Sequence, residues 1–435
     1  MSELETLIRN KQARIAVVGI GYVGLPLALS FAEAGFRVLG FDVQQKRVDM
    51  ANRGESYIAD IGSDALAKVV VEGRLEATTD QTRLGEADVI LICVPTPLGK
   101  TKDPDLSYVT YESRQIAQNL RGGQIVVLES TTYPGTTREL VLSILESSGK
   151  KAGSDFYLAY SPERVDPGNA HYGIKNTPKL VGGLDEESTR LAACVYQQVV
   201  NDVRVVSSPE IAEMAKVFEN TFRSVNVALV NEMARLCERM GISVWEVIAA
   251  AATKPHGFMP FYPGPGLGGH CIPSDPYYLA SKARELDFHT RFIELAAEIN
   301  EAMPYHVLSR VMACLSARRK SLYGSDILVI GVTYKKDVED IRESPALRVI
   351  QLLKEQGASV EYHDPYAPQI TVAGLPMRSV ELTGERLARS DCVVITTDHT
   401  CLDFSVIADK AGLVLDTRGA TMGLTAPSIV RLGEP

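Results

Sequence analysis

Short apolar runs rich in β-branched residues alternate along most of the chain with stretches whose apolar residues recur every three or four positions. The run at 14–19, RIAVVG, predicts a buried strand. A helical pattern follows over 25–34 and stops at Gly35, and a second strand covers 37–42. Strand, helix and strand within about 30 residues make a βαβ unit. Runs at 89–94, 125–128, 157–159 and 179–181 continue the alternation, which predicts a parallel sheet with helices on both faces. The period then changes. Ser208-Pro209-Glu210 reads as a helix start, and Ile211, Met214, Phe218, Phe222, Val225, Leu229, Met233 and Leu236 line one long helix that Gly241 ends. Another helix is predicted over 290–315, after a Pro- and Gly-rich loop at 254–276. A loop of that length inside a compact protein is functional or disordered, and its aromatic residues and cysteine argue against disorder. Strands at 326–331, 360–363, 392–396 and 413–416 repeat the opening pattern without a second GxGxxG. The predicted fold is α/β: two Rossmann-like doubly wound domains, 1–206 and 317–435, joined by a helical central domain, 207–316.

Composition narrows the class. With 435 residues, 45% hydrophobic and 23% charged, the chain is an ordinary globular protein of two to three domains. A formal charge of -9 gives no field that draws nucleic acid or an anionic membrane, so an anionic substrate needs a local cationic pocket. Seven cysteines, an odd number with no CxxC pair, argue against a disulfide framework and against a zinc site, and fit a reducing compartment. The N-terminus lacks a signal-peptide core, and no apolar run approaches the ~18–20 residues that span a bilayer. These features predict a cytoplasmic protein with no metal, no nucleic acid and no membrane partner.

The glycine motif Gly19-Ile20-Gly21-Tyr22-Val23-Gly24 lies between a strand and a helix. Its first glycine permits the tight turn, the second admits a pyrophosphate, and the third allows the helix to pack on the strand. Asp42, ending the next strand, suits a ribose 2′-hydroxyl and repels a 2′-phosphate, which predicts NAD over NADP. Arg47 is placed to reach the adenosine side, as a surface arginine also would be. Pro95 and Thr96 follow one strand end, and Ser130 and Thr131 another, where ligands of doubly wound sheets sit. Glu163 and Arg164 follow a third; a carboxylate there is a general base or a solvated loop acid.

On the long helix Lys216 and Asn220 share a face at a spacing of four. The sharpest feature is the run Phe261-Tyr262-Pro263-Gly264-Pro265-Gly266-Leu267-Gly268-Gly269-His270-Cys271, with Asp275 four residues on. Its glycines bring backbone N–H groups close to an anion or a flat ring. Cys271 is predicted to start a helix, where the helix terminus and a nearby lysine lower a thiol's pKa. Phe261 and Tyr262 are candidates to pack on a base or sugar. In the last segment Lys335, Arg342 and Arg418 follow strand ends on one side of the sheet and form a candidate diphosphate clamp.

Together these motifs resemble the nucleotide-sugar 6-dehydrogenases, the family of UDP-glucose, UDP-N-acetylhexosamine and GDP-mannose dehydrogenases. The likeness covers nearly all of 13–425 through GIGYVGLP, VPTP, ESTTYPGTT, SPER, KVFEN, GPGLGGHCIPSDP, YKKDVEDIRES and DTRG. It implies a cofactor, NAD, and a UDP-sugar substrate. It implies Cys271 as covalent nucleophile, with Lys216, Asn220 and Asp275 around the oxidised carbon. Glu163 and Thr131 are then the groups for thioester hydrolysis and water positioning. Gly264, Gly266 and Gly268, with Phe261, Tyr262, Lys335, Arg418 and Arg164, fall on the substrate side, and Arg342 on the cofactor. The implied reaction is a four-electron oxidation of C6 through a thiohemiacetal and a thioester, consuming two NAD. Within the family the segments 95–107, 161–169 and 258–262 are most similar to UDP-N-acetylglucosamine 6-dehydrogenases; UDP-N-acetylgalactosamine, UDP-N-acetylmannosamine and UDP-glucose are the alternatives. Ser274 departs from the apolar residue common before the aspartate. The family also suggests surface polysaccharide synthesis, and the long helix suggests a homodimer or higher homo-oligomer. A single-hydride β-hydroxyacid dehydrogenase would share the glycine motif but not need the GGHC loop or the second α/β domain. A sensor without activity would not need Cys271 or Lys216.

Overall fold

A computed structural model of the chain describes residues 2–58, 61–99, 102–166, 168–169, 171–269 and 271–435, residue 271 by its backbone alone. The chain forms two compact units, residues 1–219 with 277–288, and residues 220–276 with 289–435.

The first unit is built on an eight-stranded sheet: β1 (Arg14–Val18), β2 (Arg37–Phe41), β3 (Leu75–Thr78), β4 (Val89–Ile92), β5 (Ile125–Leu128), β6 (Tyr157–Tyr160), β7 (Lys179–Gly183) and β8 (Val203–Val205). The spatial order is β3-β2-β1-β4-β5-β6-β7-β8. Alternate residues of each strand serve opposite faces. Ile15 and Val17 join the core under the helix Gly24–Glu33, with Leu27 and Phe31. Ala16 and Val18 join the other core, with Val109 and Ile116 of the helix Ser107–Asn119. Burial on both faces explains why β4 and β5 are apolar throughout.

One expectation is corrected here. The sheet is parallel from β3 to β6, but β7 runs antiparallel to β6. A parallel neighbour needs a crossover, usually a helix. The segment 161–178 contains no helix among its described residues, so the chain turns back beside β6. The pairing Ala159↔Gly183 and Tyr160↔Gly182 brings β7 back beside the end of β6, and Lys179 at its start meets Glu163 at 3.5 Å.

The second unit holds a five-stranded, wholly parallel sheet in the order β10-β9-β13-β14-β15. Its strands are β9 (Asp326–Ile330), β10 (Ser359–His363), β13 (Cys392–Ile395), β14 (Val414–Asp416) and β15 (Ile429–Arg431). A hairpin of β11 (Gln369–Val372) and β12 (Leu375–Arg378) follows β10. Ile327 and Val329 face one core, Leu328 and Ile330 the other. The last α/β segment is thus a Rossmann-like sheet, as the strand pattern predicts.

The long central helix spans Pro209–Met240, with proline at its first position and Gly241 at φ +73° after its end. The predicted helix over 290–315 is Arg291–Ala317. The Pro- and Gly-rich loop gives way at Cys271 to a helix, as predicted there, which runs to Glu285. Pro273 falls in its first turn, where no backbone N–H is needed, while Pro276 lies inside it. Among the described residues no helix is long and apolar enough to cross a membrane.

Candidate active site

The turn after β1 has the shape a dinucleotide needs. Gly19 sits at φ +91°, and a Cβ there would lie 2.9 Å from the Cys93 carbonyl oxygen. A Cβ on Gly24 would lie 2.0 Å from the Gly19 oxygen, so the helix can pack this closely only on glycine. Gly21 is different: its nearest neighbour is a guanidinium nitrogen of Arg47 at 4.0 Å, which leaves the backbone open to a pyrophosphate. Tyr22 is exposed, and Val23 precedes the first helical residue. Asp42, buried at the end of β2, accepts from the Gln44 amide at 2.9 Å and pairs with Arg47 at 3.3 Å. The Arg47 guanidinium also lies over the Tyr57 ring. These residues fit NAD: a glycine cradle, a helix N-terminus and an acid at ribose position.

Two neighbouring strand ends are tied together. Thr96 Oγ1 donates to the Thr131 carbonyl at 2.7 Å, and Tyr278 donates its hydroxyl to the Thr96 carbonyl. Ser130 Oγ donates to the Val94 carbonyl at 2.7 Å, while Pro95 is exposed at the tip. The Thr131 segment is then clamped to the central helix by a residue that sequence reasoning missed. Glu213, fully buried, accepts from the amides of Gly135 at 2.6 Å and Thr137 at 2.9 Å, and from Thr137 Oγ1 at 2.6 Å. Burial outweighs these bonds and pushes its pKa up to about 7.

Glu163 lies beyond β6. Its Oε1 accepts the amides of Arg164 at 2.7 Å and Val165 at 2.6 Å, and its Oε2 is 3.5 Å from the ammonium of Lys179. Burial pushes the carboxyl pKa up, but Lys179, the two amides and Lys216 outweigh it and hold the group below the usual range. Arg164 is engaged inside the unit: its guanidinium holds Glu219 at 2.7 and 3.2 Å and the Pro178 carbonyl at 2.6 Å. That strap fixes the Glu163 loop to the central helix. Lys216, three residues after Glu213, is only 8% exposed, and among the described residues no group accepts a hydrogen bond from its ammonium. A buried lysine without a protein partner is expensive unless a ligand supplies one.

The second unit holds the remaining candidates. Asn220 donates to Asp275 at 2.5 Å, and both are buried. Cys271 begins the helix that carries Asp275 one turn later. The side chain of Cys271, and His270 before it, lie outside the described residues. The glycine loop is anchored by a buried amide pair. Asn231 accepts the Gly264 amide at 3.0 Å and donates to Asn300 at 3.0 Å. A Cβ on Gly264 would lie 2.7 Å from an Arg418 guanidinium nitrogen, and one on Gly268 would lie 2.7 Å from Tyr334 Cβ. Gly266 sits at φ +136°, and Gly269 donates its amide to the Arg342 carbonyl at 3.0 Å. Phe261 packs edge-on against Phe222, whereas Tyr262 stacks on Trp245 with one face exposed.

The cationic candidates sit on loops after β9 and β14. Lys335 and Arg342 lie in the segment 331–344; Arg342 pairs with Asp340 at 2.7 Å. Arg418 follows Asp416, and its Nε is 3.6 Å from Asp398. Two unforeseen residues shape this region. Asp364 accepts the amides of Val332 at 2.6 Å and Thr333 at 3.2 Å, and lies 3.1 Å from Nε2 of the buried His399. His399 Nδ1 accepts the Asp337 amide at 3.0 Å, so the ring orders the Lys335 loop. No motif marks either residue; the only signal in the sequence is an acid directly after a predicted strand.

Comparison with known proteins adds the following. Residues 13–200 match the NAD binding domain of the UDP-glucose/GDP-mannose dehydrogenase family, residues 210–302 its central domain, and residues 328–422 its UDP binding domain. A UDP-N-acetyl-D-mannosamine dehydrogenase of Methanococcus maripaludis is 37% identical over 89% of this chain and 86% of its own. A UDP-N-acetyl-D-glucosamine 6-dehydrogenase of Pseudomonas aeruginosa is 36% identical over 82% of this chain and 83% of its own. Among solved structures, the UDP-D-ManNAc dehydrogenase from Pyrococcus horikoshii superposes with a TM-score of 0.88 at 33% identity, over 97% of this chain and 99% of that one.

Proposed function

The chain belongs to the UDP-glucose/GDP-mannose dehydrogenase family and is an NAD-dependent UDP-sugar dehydrogenase; we propose that it oxidises the C6 alcohol of a UDP-N-acetylhexosamine, first UDP-N-acetylglucosamine, to the carboxylate. The observation that carries the reading is Lys216, buried and with no hydrogen-bond partner among the described residues, on the helix that also bears Asn220, whose partner Asp275 lies one turn from Cys271.

In this reading Gly19, Gly21, Gly24, Asp42, Arg47, Thr96, Ser130 and Arg342 hold NAD, which when bound accepts a hydride from C6 in each of two steps. Lys216 stabilises the oxygen of C6 as it loses its proton, with Asn220 and Asp275 completing the polar shell. The Cys271 thiolate adds to the aldehyde carbon and gives a thiohemiacetal, which becomes a thioester in the second oxidation. Glu163 then takes a proton from a water positioned by Thr131. The water oxygen bonds to the carbonyl carbon, the C–S bond breaks, and the thiolate returns. The glycine loop, with Phe261 and Tyr262, Lys335 and Arg418, receives the UDP-sugar, and Arg164 holds the Glu163 loop in place.

The division at 206/207 and 316/317 is our assignment of cofactor, central and UDP-sugar domains. The central helix exposes Ile211, Phe218, Leu229, Leu236 and Met240, an apolar stripe that supports a homodimer. Sedimentation at micromolar concentration tests it; a monomer would contradict it. The free, unpaired cysteines support a cytoplasmic setting. A second substrate reading, UDP-N-acetylmannosamine, is favoured by the relatives from Methanococcus maripaludis and Pyrococcus horikoshii. The test is NADH release across a panel of purified UDP-sugars, with the product's mass. The proposal expects two NADH per sugar and the highest kcat/KM on a 2-acetamido sugar; best turnover on UDP-glucose, or one NADH per sugar, would refute it.

A further inference from the structure

The buried charges around Glu163 extend past the residues that the reaction uses. Lys179 begins β7, and its side chain is 7% exposed. Its ammonium is 2.5 Å from Glu129 Oε2 and 3.5 Å from Glu163 Oε2. Glu129 is itself fully covered and accepts the Tyr196 hydroxyl at 2.5 Å through its other oxygen. The Tyr196 ring lies 5.1 Å below the ammonium. The antiparallel return of β7 makes this cluster possible. With β7 parallel to β6, residue 179 would start at the opposite end of the sheet, one strand length from Glu163.

Beside the same carboxylate is a cavity of about 10 Å³, lined by Glu163, Arg164, Thr177, Lys179 and apolar neighbours. That is room for about one water. Thr177 Oγ1 faces no hydrogen-bond partner among the described residues.

We infer that Lys179 is a positioning residue for Glu163: its ammonium, shared with Glu129, keeps the Glu163 carboxylate charged and aimed for the hydrolytic step. The inference deepens the proposed function and rests on the role given there to Glu163. Among the described residues the charged and titratable groups around Glu163 include Lys179 on β7, Glu129 after β5, Lys216 on the central helix, Arg164 with its partner Glu219, Cys93 after β4 and Tyr196 beyond β7. Burial pushes Glu129, Cys93 and Tyr196 up toward their neutral forms, whereas the two carboxylates overcome burial and hold Lys179 charged. Opposite signs follow for two substitutions. Removing the cation takes away the largest influence that holds Glu163 ionised against burial and favours its protonation. Removing the charge of Glu129 leaves Lys179 wholly to Glu163 and favours its ionised form.

The experiment is the pH profile of carboxylate release by the full-length enzyme, together with intact-protein mass after acid quench during turnover. Lys179→Met should move the acid limb up by about one pH unit or more. It should also let a sugar adduct accumulate on the chain while NAD binding stays. Glu129→Gln should move the limb down, and Lys179→Arg should restore its position. Limbs that stay in place in both Lys179→Met and Glu129→Gln, or that move in the same direction, would overturn the inference. Should Lys179→Met not fold, the downward shift in Glu129→Gln carries the test alone. Glu163→Gln separates the two levels. An accumulating adduct there with unmoved limbs in the other variants sinks only the role of Lys179; no adduct in Glu163→Gln sinks the hydrolytic role of Glu163 itself.

Discussion

The two large sheets begin with the same device and put it to opposite uses. In the first unit β1 ends at Gly19, φ +91°, whose amide donates to the carbonyl of Phe41, the last residue of β2; Asp42 follows. In the second unit β9 ends at Gly331, φ +79°, whose amide donates to the carbonyl of His363, the last residue of β10; Asp364 follows. From there they diverge. Asp42 takes only a local amide and Arg47, and the chain enters a helix at Gly24, leaving the turn's backbone for a ligand. Asp364 reaches back over its turn, takes the amides of Val332 and Thr333, accepts those of Tyr366 and Ala367, and meets His399. A long segment carrying Lys335 and Arg342 then precedes the helix Pro345–Glu355. An acid in one topological position thus stays beside an open turn in one sheet and is a structural staple in the other. In the second sheet the amides of this turn are taken by Asp364, and the loops beyond carry the cations Lys335, Arg342 and Arg418.

That contrast can be broken at several points. The largest effect is expected from Asp364→Asn. An amide cannot accept from four backbone donors as the carboxylate does, and losing one member of a buried charged network costs about 3–5 kcal/mol. The denaturant midpoint should fall steeply while NAD affinity is unchanged; a stable variant with weakened NAD binding would invert the assignment. Next is Gly331→Ala. Its Cβ would lie 2.5 Å from the Thr397 backbone carbonyl oxygen at a left-handed φ, a loss of about 2–3 kcal/mol. Gly21→Ala meets nothing closer than 4.0 Å. It should leave the midpoint within about 0.5 kcal/mol and weaken NAD binding by about tenfold, as read by titration.

Asp42→Asn should change stability by less than about 1 kcal/mol but erode the preference for NAD over NADP by about 10-fold or more. Unchanged selectivity would remove Asp42 from the ribose. The smallest effect is in pH. The Glu213 carboxyl is raised to about 7 from an ordinary 4.5. Its contribution is therefore full below about pH 4.5 and is lost as pH rises through 7. Asp364 is lowered: burial opposes the shift, but His399 and the amides outweigh it. Its contribution is present at neutral pH and is lost only as pH falls below about 4. Amide exchange should loosen around 135–137 between pH 5 and 8 while the amides of Val332 and Thr333 stay protected. Parallel behaviour of the two segments would contradict the contrast.

Much of this was legible in the residues alone. The apolar runs locate β1, β2, β4, β5 and β9 to within about two residues, and the spacing of Ile211, Phe218, Leu229 and Leu236 gives the central helix its full length. Hydrophobic alternation says nothing of strand direction, however. The reversal of β7 shows only in the lack of a helical pattern over 161–178, and with it the meeting of Lys179 and Glu163 was hidden. The pairing of Arg164 with Glu219, distant in sequence, was likewise hidden. Glu213 reads as one more polar residue on a helix, because only tertiary packing brings the amides of Gly135 and Thr137 to its carboxylate. Short-range chemistry such as the glycine turn is written locally; buried polar partners from separate strands are not.

The decisive measurement is carboxylate formation by Cys271→Ser with saturating NAD and UDP-N-acetylhexosamine. Loss of the thiolate should lower product formation by about 10³-fold or more while the nucleotide sugar still binds. A variant that makes the carboxylate at the wild-type rate would show that no sulfur takes part, and the covalent route would have to be abandoned.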